Sequence, residues 1–138
     1  MSHEVQRMTP ETVRKAVAEY FVALRAMNPD AWAATFAAEG TTEDPAGSPP
    51  VKGHAALKQR ATAMWAPWVR IALRETEVFV AANEAAIKWT GEGRAKNGRD
   101  FRFEGIDIIA VDEQGKVQSV RGFWDTSILV ELAATPRV

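Results

Sequence analysis

Asp107 interrupts an apolar face, and the chemistry of this chain starts from that interruption. Along Phe101 to Val111 the odd positions are Phe101, Phe103, Gly105, Asp107, Ile109 and Val111, and the two-residue period of a strand puts them on one side. The other side, Arg102, Glu104, Ile106, Ile108 and Ala110, is mixed. Unless a bulge at Gly105 breaks the parity, Asp107 is a carboxyl group on an apolar surface. Burial disfavours its charged form, and a carboxylic acid that keeps its proton can donate a hydrogen bond to an oxygen. The alternative is an ionised Asp107 paired with Arg121 on a neighbouring strand. Tyr20, the only tyrosine, falls within the apolar stripe of a helical segment. A buried phenol needs a partner for its hydroxyl, so Tyr20 is either a donor into a cavity or a core aromatic reaching a backbone carbonyl or the surface. Asp44 lies in Thr41-Thr42-Glu43-Asp44-Pro45-Ala46-Gly47. Alternation sends Glu43 and Asp44 to opposite sides, so at most one faces a pocket. An ionised carboxylate beside an apolar wall is a general base that needs no metal; a turn-forming Asp before Pro and Gly is the competing reading.

The rest of the composition narrows the chemistry towards these groups. The chain has no cysteine, which excludes a disulfide framework, Cys-ligated zinc, Fe–S clusters and thiol catalysis. His3 and His54 are the only histidines, too few for a multi-histidine metal site and a poor basis for a Ser-His-Asp site. No metal and no cofactor is expected. With 17 basic and 18 acidic residues the net charge is −1, which gives no whole-domain field for nucleic acid. No apolar run is long enough to span a membrane, and the N-terminus lacks the apolar core of a signal peptide, so the expected compartment is the cytoplasm. His54, Lys52, Lys58 and Arg60 read as solvated surface, and Trp65 and Trp68 as core or interface.

Positioning three such groups requires elements that the spacing predicts. A length of 138 residues fits one domain over 1–138, with a pattern-free, flexible N-terminus over 1–8. Thr9-Pro10-Glu11 is a helix start: cap, first-turn proline and first-turn acid. Val13, Ala16, Val17, Tyr20, Leu24 and Met27 follow at helical spacing, which predicts a helix from Thr9 to Met27. Asn28-Pro29-Asp30 repeats the signal, with a short helix to about Ala37 carrying Trp32 and Phe36 on one face. Thr41 to Pro45 is extended, Gly47 to Pro50 a loop, and His54 to about Trp65 a third helix. Strands are predicted over Val69–Val80, Ala85–Arg94, Phe101–Val111 and Val117–Trp124, with a hairpin turn at Asn97-Gly98. The tail after Asp125 is apolar enough to dock as a short helix or edge segment. Helices followed by antiparallel strands make an α+β fold, a curved sheet closed by the N-terminal helices around an apolar pocket.

These residues together resemble the ketosteroid isomerases, the steroid Δ5-Δ4 isomerases of the NTF2-like, SnoaL-like superfamily. The resemblance runs from about Val13 to Trp124. It is carried by Glu43-Asp44-Pro45, Gly47-Ser48-Pro49-Pro50 with Gly53, Ile106-Asp107-Ile108, and Asp112-Glu113-Gln114-Gly115 leading to Phe123-Trp124. The separation of Tyr20 from Asp44 matches the family without gaps. The resemblance implies an NTF2-like cone and a cofactor-independent isomerase that moves a double bond in a 3-oxo-Δ5-steroid. It implies Asp44 as general base and acid, with Tyr20 and protonated Asp107 as donors to the substrate oxygen. It further implies Trp124, Phe103 and Phe36 against the substrate, and a homodimer formed through outer sheet faces. In some members further tyrosines support the oxyanion tyrosine; here Phe36 and Ala61 stand at two such places. The same fold also hosts non-catalytic modules for hydrophobic ligands, and cyclases or dehydratases acting on polyketide-like substrates.

Overall fold

The computed structural model describes residues 8–134. Thr9 caps the first helix, α1 (Pro10–Ala26), by accepting from the Thr12 N–H, and Met27 ends it in the left-handed region at φ 53°. A cap of this kind is worth about 1 kcal/mol. The expected pattern-free terminus over 1–8 lies outside the described residues except at Met8, which packs against the core. Asn28 caps α2 (Pro29–Ala34) by accepting from the Ala31 N–H at 3.1 Å.

Here the structure departs from the sequence expectation. The second helix stops at Ala34 instead of reaching Ala37, because Thr35 turns its hydroxyl and its N–H onto the Trp32 carbonyl and closes the last turn. The following residues become a full strand, β1 (Phe36–Glu43), which pairs in parallel with β6 (Val117–Trp124). The sheet is therefore mixed, with one parallel pair in an otherwise antiparallel array. A two-residue strand, β2 (Val51–Lys52), adds to the outer edge of β1, and α3 (His54–Trp65) follows as predicted.

The remaining strands, β3 (Trp68–Ala81), β4 (Glu84–Ala95) and β5 (Asp100–Val111), form a meander that ends on β6. The six-stranded order is β2-β1-β6-β5-β4-β3. Register shifts in β3 at Trp68/Arg70 and Glu75/Glu77 bend that long strand, so the sheet curves around the helices. The concave side holds a continuous apolar core that includes Val13, Val17, Phe21, Leu57, Ile87, Ile109 and Val120. The arrangement is the NTF2-like cone, an α+β fold with helices closing a curved sheet. A last helix, α4 (Ile128–Leu132), docks at the cone's open end, where the Asn97 amide from the β4–β5 turn donates to the Glu131 and Leu132 carbonyls. Among the described residues no helix is long and apolar enough to cross a membrane.

Candidate active site

The parity that the sequence predicted for β5 holds. Pairing with β4 runs unbroken from Glu84↔Ala110 to Arg94↔Asp100, so Gly105 carries no bulge there and Asp107 faces the concave side, 3% exposed. Arg121 is not its partner: that guanidinium reaches Glu43 at 3.4 Å on the other side of the sheet. Glu43 and Asp44 diverge as alternation requires, and it is Asp44 that enters the cone.

Two rows of cross-strand neighbours build the site. In one, Trp89, Gly105 and Trp124 lie abreast on β4, β5 and β6; in the other, Ile87, Asp107 and Gly122 do. Each glycine makes room for something. A Cβ on Gly105 would run into the Trp89 ring, and one on Gly122 would meet the carboxyls of both Asp44 and Asp107. With those positions bare, Trp89 folds across Gly105 and its Nε1–H donates to Asp107 Oδ1 at 3.1 Å. Trp124 Nε1–H donates to Asp44 Oδ1 at 2.6 Å. Each indole thus occupies one carboxyl oxygen, Oδ1.

That cavity has a volume of about 380 Å³ and takes in Tyr20, Asp44, Asp107, Phe103 and Trp124, within the usual range for a small-molecule site. Trp32, Trp65, Trp68, Trp89 and Leu73 contribute its apolar wall, and Ile128, Leu129 and Leu132 of α4 flank it. A larger, more open depression of about 490 Å³ between Arg70, Arg94 and Arg102 contains neither carboxyl nor phenol of the candidate set. Among the described residues no group of three or more His, Cys, Asp or Glu side chains is arranged to hold a metal ion.

The electrostatics separate the two carboxyls. Burial, and after it the negative charge of Asp44, hold the Asp107 carboxyl well above the usual carboxylate range; the Trp89 N–H opposes them. Burial also raises Asp44, but the Trp124 N–H and the Arg60 charge pull it back. Asp44 is therefore the first of the pair to ionise, and its charge then keeps the proton on Asp107. Tyr20 is 2% exposed. Burial, then Asp107 and Asp44, push its phenol well above its ordinary value, while the Trp32 indole acts in the opposite direction. The Tyr20 phenol and the two carboxyls thus line one cavity, with Asp44 the more readily ionised of the carboxyls.

Phe36, expected against the substrate, is not brought to the cavity. It is 1% exposed at the start of β1 and packs edge-on behind Tyr20, ring centroids 5.9 Å apart, because β1 begins at Phe36 and not at Thr41 as the sequence suggested. Arg60, read as solvated, lines the cavity and donates to the Asp44 carbonyl. His54 is half-buried, its Nε2 2.8 Å from the Phe36 carbonyl. Trp65 and Trp68, 8% and 6% exposed, are wall of the cavity as well as core. The partner role of Trp89 was missed; its alternation against Gly91 and Gly93 on β4 was the available signal.

Comparison with known proteins places these features in context. Residues 17–120 match the SnoaL-like domain. A curated relative, a steroid Delta-isomerase of Nocardioides simplex, is 31% identical over 112 residues, covering 81% of this chain and 89% of the relative. Among solved structures, SalBIII, an epoxide hydrolase/cyclase-like enzyme in pyran ring formation in the polyether salinomycin, superposes with a TM-score of 0.75 at 21% identity, covering 85% of this chain and 93% of that one. That last likeness is one of fold.

Proposed function

Since the chain belongs to the SnoaL-like family, we propose that its cavity isomerises a 3-oxo-Δ5-steroid to the conjugated Δ4 ketone by moving one proton within the substrate. The observation that carries this is the pair of carboxyls, Asp44 and Asp107, meeting over Gly122 in one apolar chamber with their ionisation pushed apart. The steroid isomerase relative supports the same reading.

The substrate's carbonyl oxygen lies between the Tyr20 hydroxyl and the protonated Asp107. Asp44 removes a proton from C4, and the electron pair moves onto that oxygen as a dienolate. Both donors strengthen their hydrogen bonds as the charge develops, without reorganising, in a site that excludes water. Asp44 then returns the proton at C6, so the carboxylate ends as it began and no redox partner or metal is consumed. A carboxylic acid kept neutral so that it can donate is a recognised device, and the ketosteroid isomerases are themselves its best-known example. Trp68, Phe103 and Leu73 offer apolar surface for the steroid rings, worth about 25 cal/mol for each Å² buried.

The active form we propose is a homodimer. On the convex side Ile106 of β5 and Phe123 of β6 are cross-strand neighbours, 45% and 43% exposed, with Arg121 stacked on the Phe123 ring at 5.2 Å. An exposed aromatic–aliphatic pair with an arginine rim suits a self-complementary interface.

Absorbance tests the activity, because the Δ4 enone absorbs where the Δ5 ketone does not. Turnover by the native protein, lost in Asp44→Asn with steroid affinity retained, is the expected result. Saturable steroid binding without turnover in the native protein would mean a binding module; neither binding nor turnover would point to a polyketide-like substrate instead.

A further inference from the structure

Among the described residues, Trp32 is the cavity-wall indole whose Nε1 is fully buried with no hydrogen bond of ordinary length. The residue is 2% exposed. Buried donors of this kind are rare, and each calls for a reason. Neither Trp89 nor Trp124 shares the condition, since each serves a carboxyl. The ring is held by edge contacts to Phe36 at 4.9 Å and Trp65 at 6.3 Å, and its remaining aromatic neighbour is Tyr20, 6.3 Å away at a tilt of 53°. Phe36 and Phe21 also pack on Tyr20, and neither can donate to its oxygen.

The geometry points to Trp32 as the positioning residue of Tyr20: its indole N–H donates to the phenol oxygen, closing onto it when a bound ligand draws on the phenolic proton. This rests on Tyr20 acting as a donor in the proposed reaction. The phenol then stands in a chain, Trp32 N–H to Tyr20 oxygen and Tyr20 O–H to ligand oxygen, in which each bond polarises the next. No proton changes owner at Trp32. The indole is also the one neighbour that favours the charged phenol against burial and two carboxyls. A nitrogen donor on α2 thereby fills the supporting role that hydrocarbon at Phe36 and Ala61 cannot fill.

The test uses the full chain and two readouts. In ¹⁵N-labelled protein the Trp32 indole signal is identified as the one missing from Trp32→Phe. Adding 2-naphthol to saturation, judged by the Trp124 indole signal, should move the Trp32 N–H downfield in the native protein and leave it in place in Tyr20→Phe. Equal movement in both would overturn the proposal. The second readout replaces Trp32 by 3-benzothienylalanine, which keeps the ring's shape and lacks only the N–H. Steroid turnover should then show kcat lowered about tenfold with KM within about twofold, the signature of an interaction made in the transition state. An unchanged kcat would refute the role. A native protein that turns over no steroid would refute the isomerase reading, and the naphthol experiment would then decide the role of Trp32 by itself.

Discussion

Replacing Asp107 by asparagine should make the protein gain stability on its parent as the pH rises. Asparagine keeps the side chain's shape, an acceptor for the Trp89 N–H and a donor towards the cavity, and removes only the titration. In the unfolded chain the Asp107 carboxyl releases its proton at about pH 3.9. In the folded protein burial and the Asp44 charge hold that proton to well above this value. Between the two values the folded state binds one proton more than the unfolded state. The contribution of Asp107 to stability is therefore fully present below the unfolded value and is lost as pH rises towards the folded one. The slope is about −1.4 kcal/mol of unfolding free energy per pH unit. Asp107→Asn has no such loss. Asp44 is common to both proteins and drops out of the difference apart from its coupling to Asp107. The stability of the variant relative to its parent should thus grow as the pH is raised through 5, 6 and 7, by no more than about 1.4 kcal/mol per unit. Urea unfolding of both proteins at these three values measures it. Parallel curves over that range would show Asp107 ionised like a solvated aspartate and would refute its role as a donor.

Four other perturbations follow from the same geometry. Burial raises Asp44 and Arg60 opposes it, so the acid limb of the turnover profile should lie above the ordinary aspartate value, move higher in Arg60→Met and move less in Arg60→Lys. Tyr20→Phe should lower kcat by about a hundredfold or more, as for other lost oxyanion donors, while leaving the fold's thermal transition in place. Gly105→Ala drives a methyl into the Trp89 ring and should cost about 1–3 kcal/mol in chemical denaturation, with weaker ligand binding because Trp89 no longer seats Asp107. Phe123→Glu puts a charge on the convex apolar pair; light scattering at one concentration should show a dimer for the native protein and a monomer for this variant.

The sequence was most informative where period and chemistry coincide. The β5 alternation alone put Asp107 on the concave side, and strand pairing kept that parity because no bulge intervened at Gly105. Thr9 and Asn28 announced both helix starts through their caps. The end of α2 was not legible, because the residues from Phe36 onward owe their extended form to β6, some eighty positions away in the chain. The same long-range pairing moved Phe36 from the expected ligand wall to the packing behind Tyr20. Arg60 looked like one more basic residue on an exposed helix face; only the entry of Asp44 into the cone gives it a carbonyl to hold. The indole-to-carboxyl bonds were out of reach for a similar reason, since they depend on which glycine lies opposite which tryptophan across three strands.

The central claim is that one carboxylate, Asp44, lifts a proton from one carbon of a ligand and sets it down on another while Tyr20 and Asp107 hold the oxygen. Turnover in ordinary water of a 3-oxo-Δ5-steroid bearing deuterium at C4, on the hydrogen that is removed, measures this directly. The account predicts Δ4 product carrying deuterium at C6. Product with only solvent hydrogen at C6 would contradict direct return by a shielded Asp44, and no product at all would contradict the reaction.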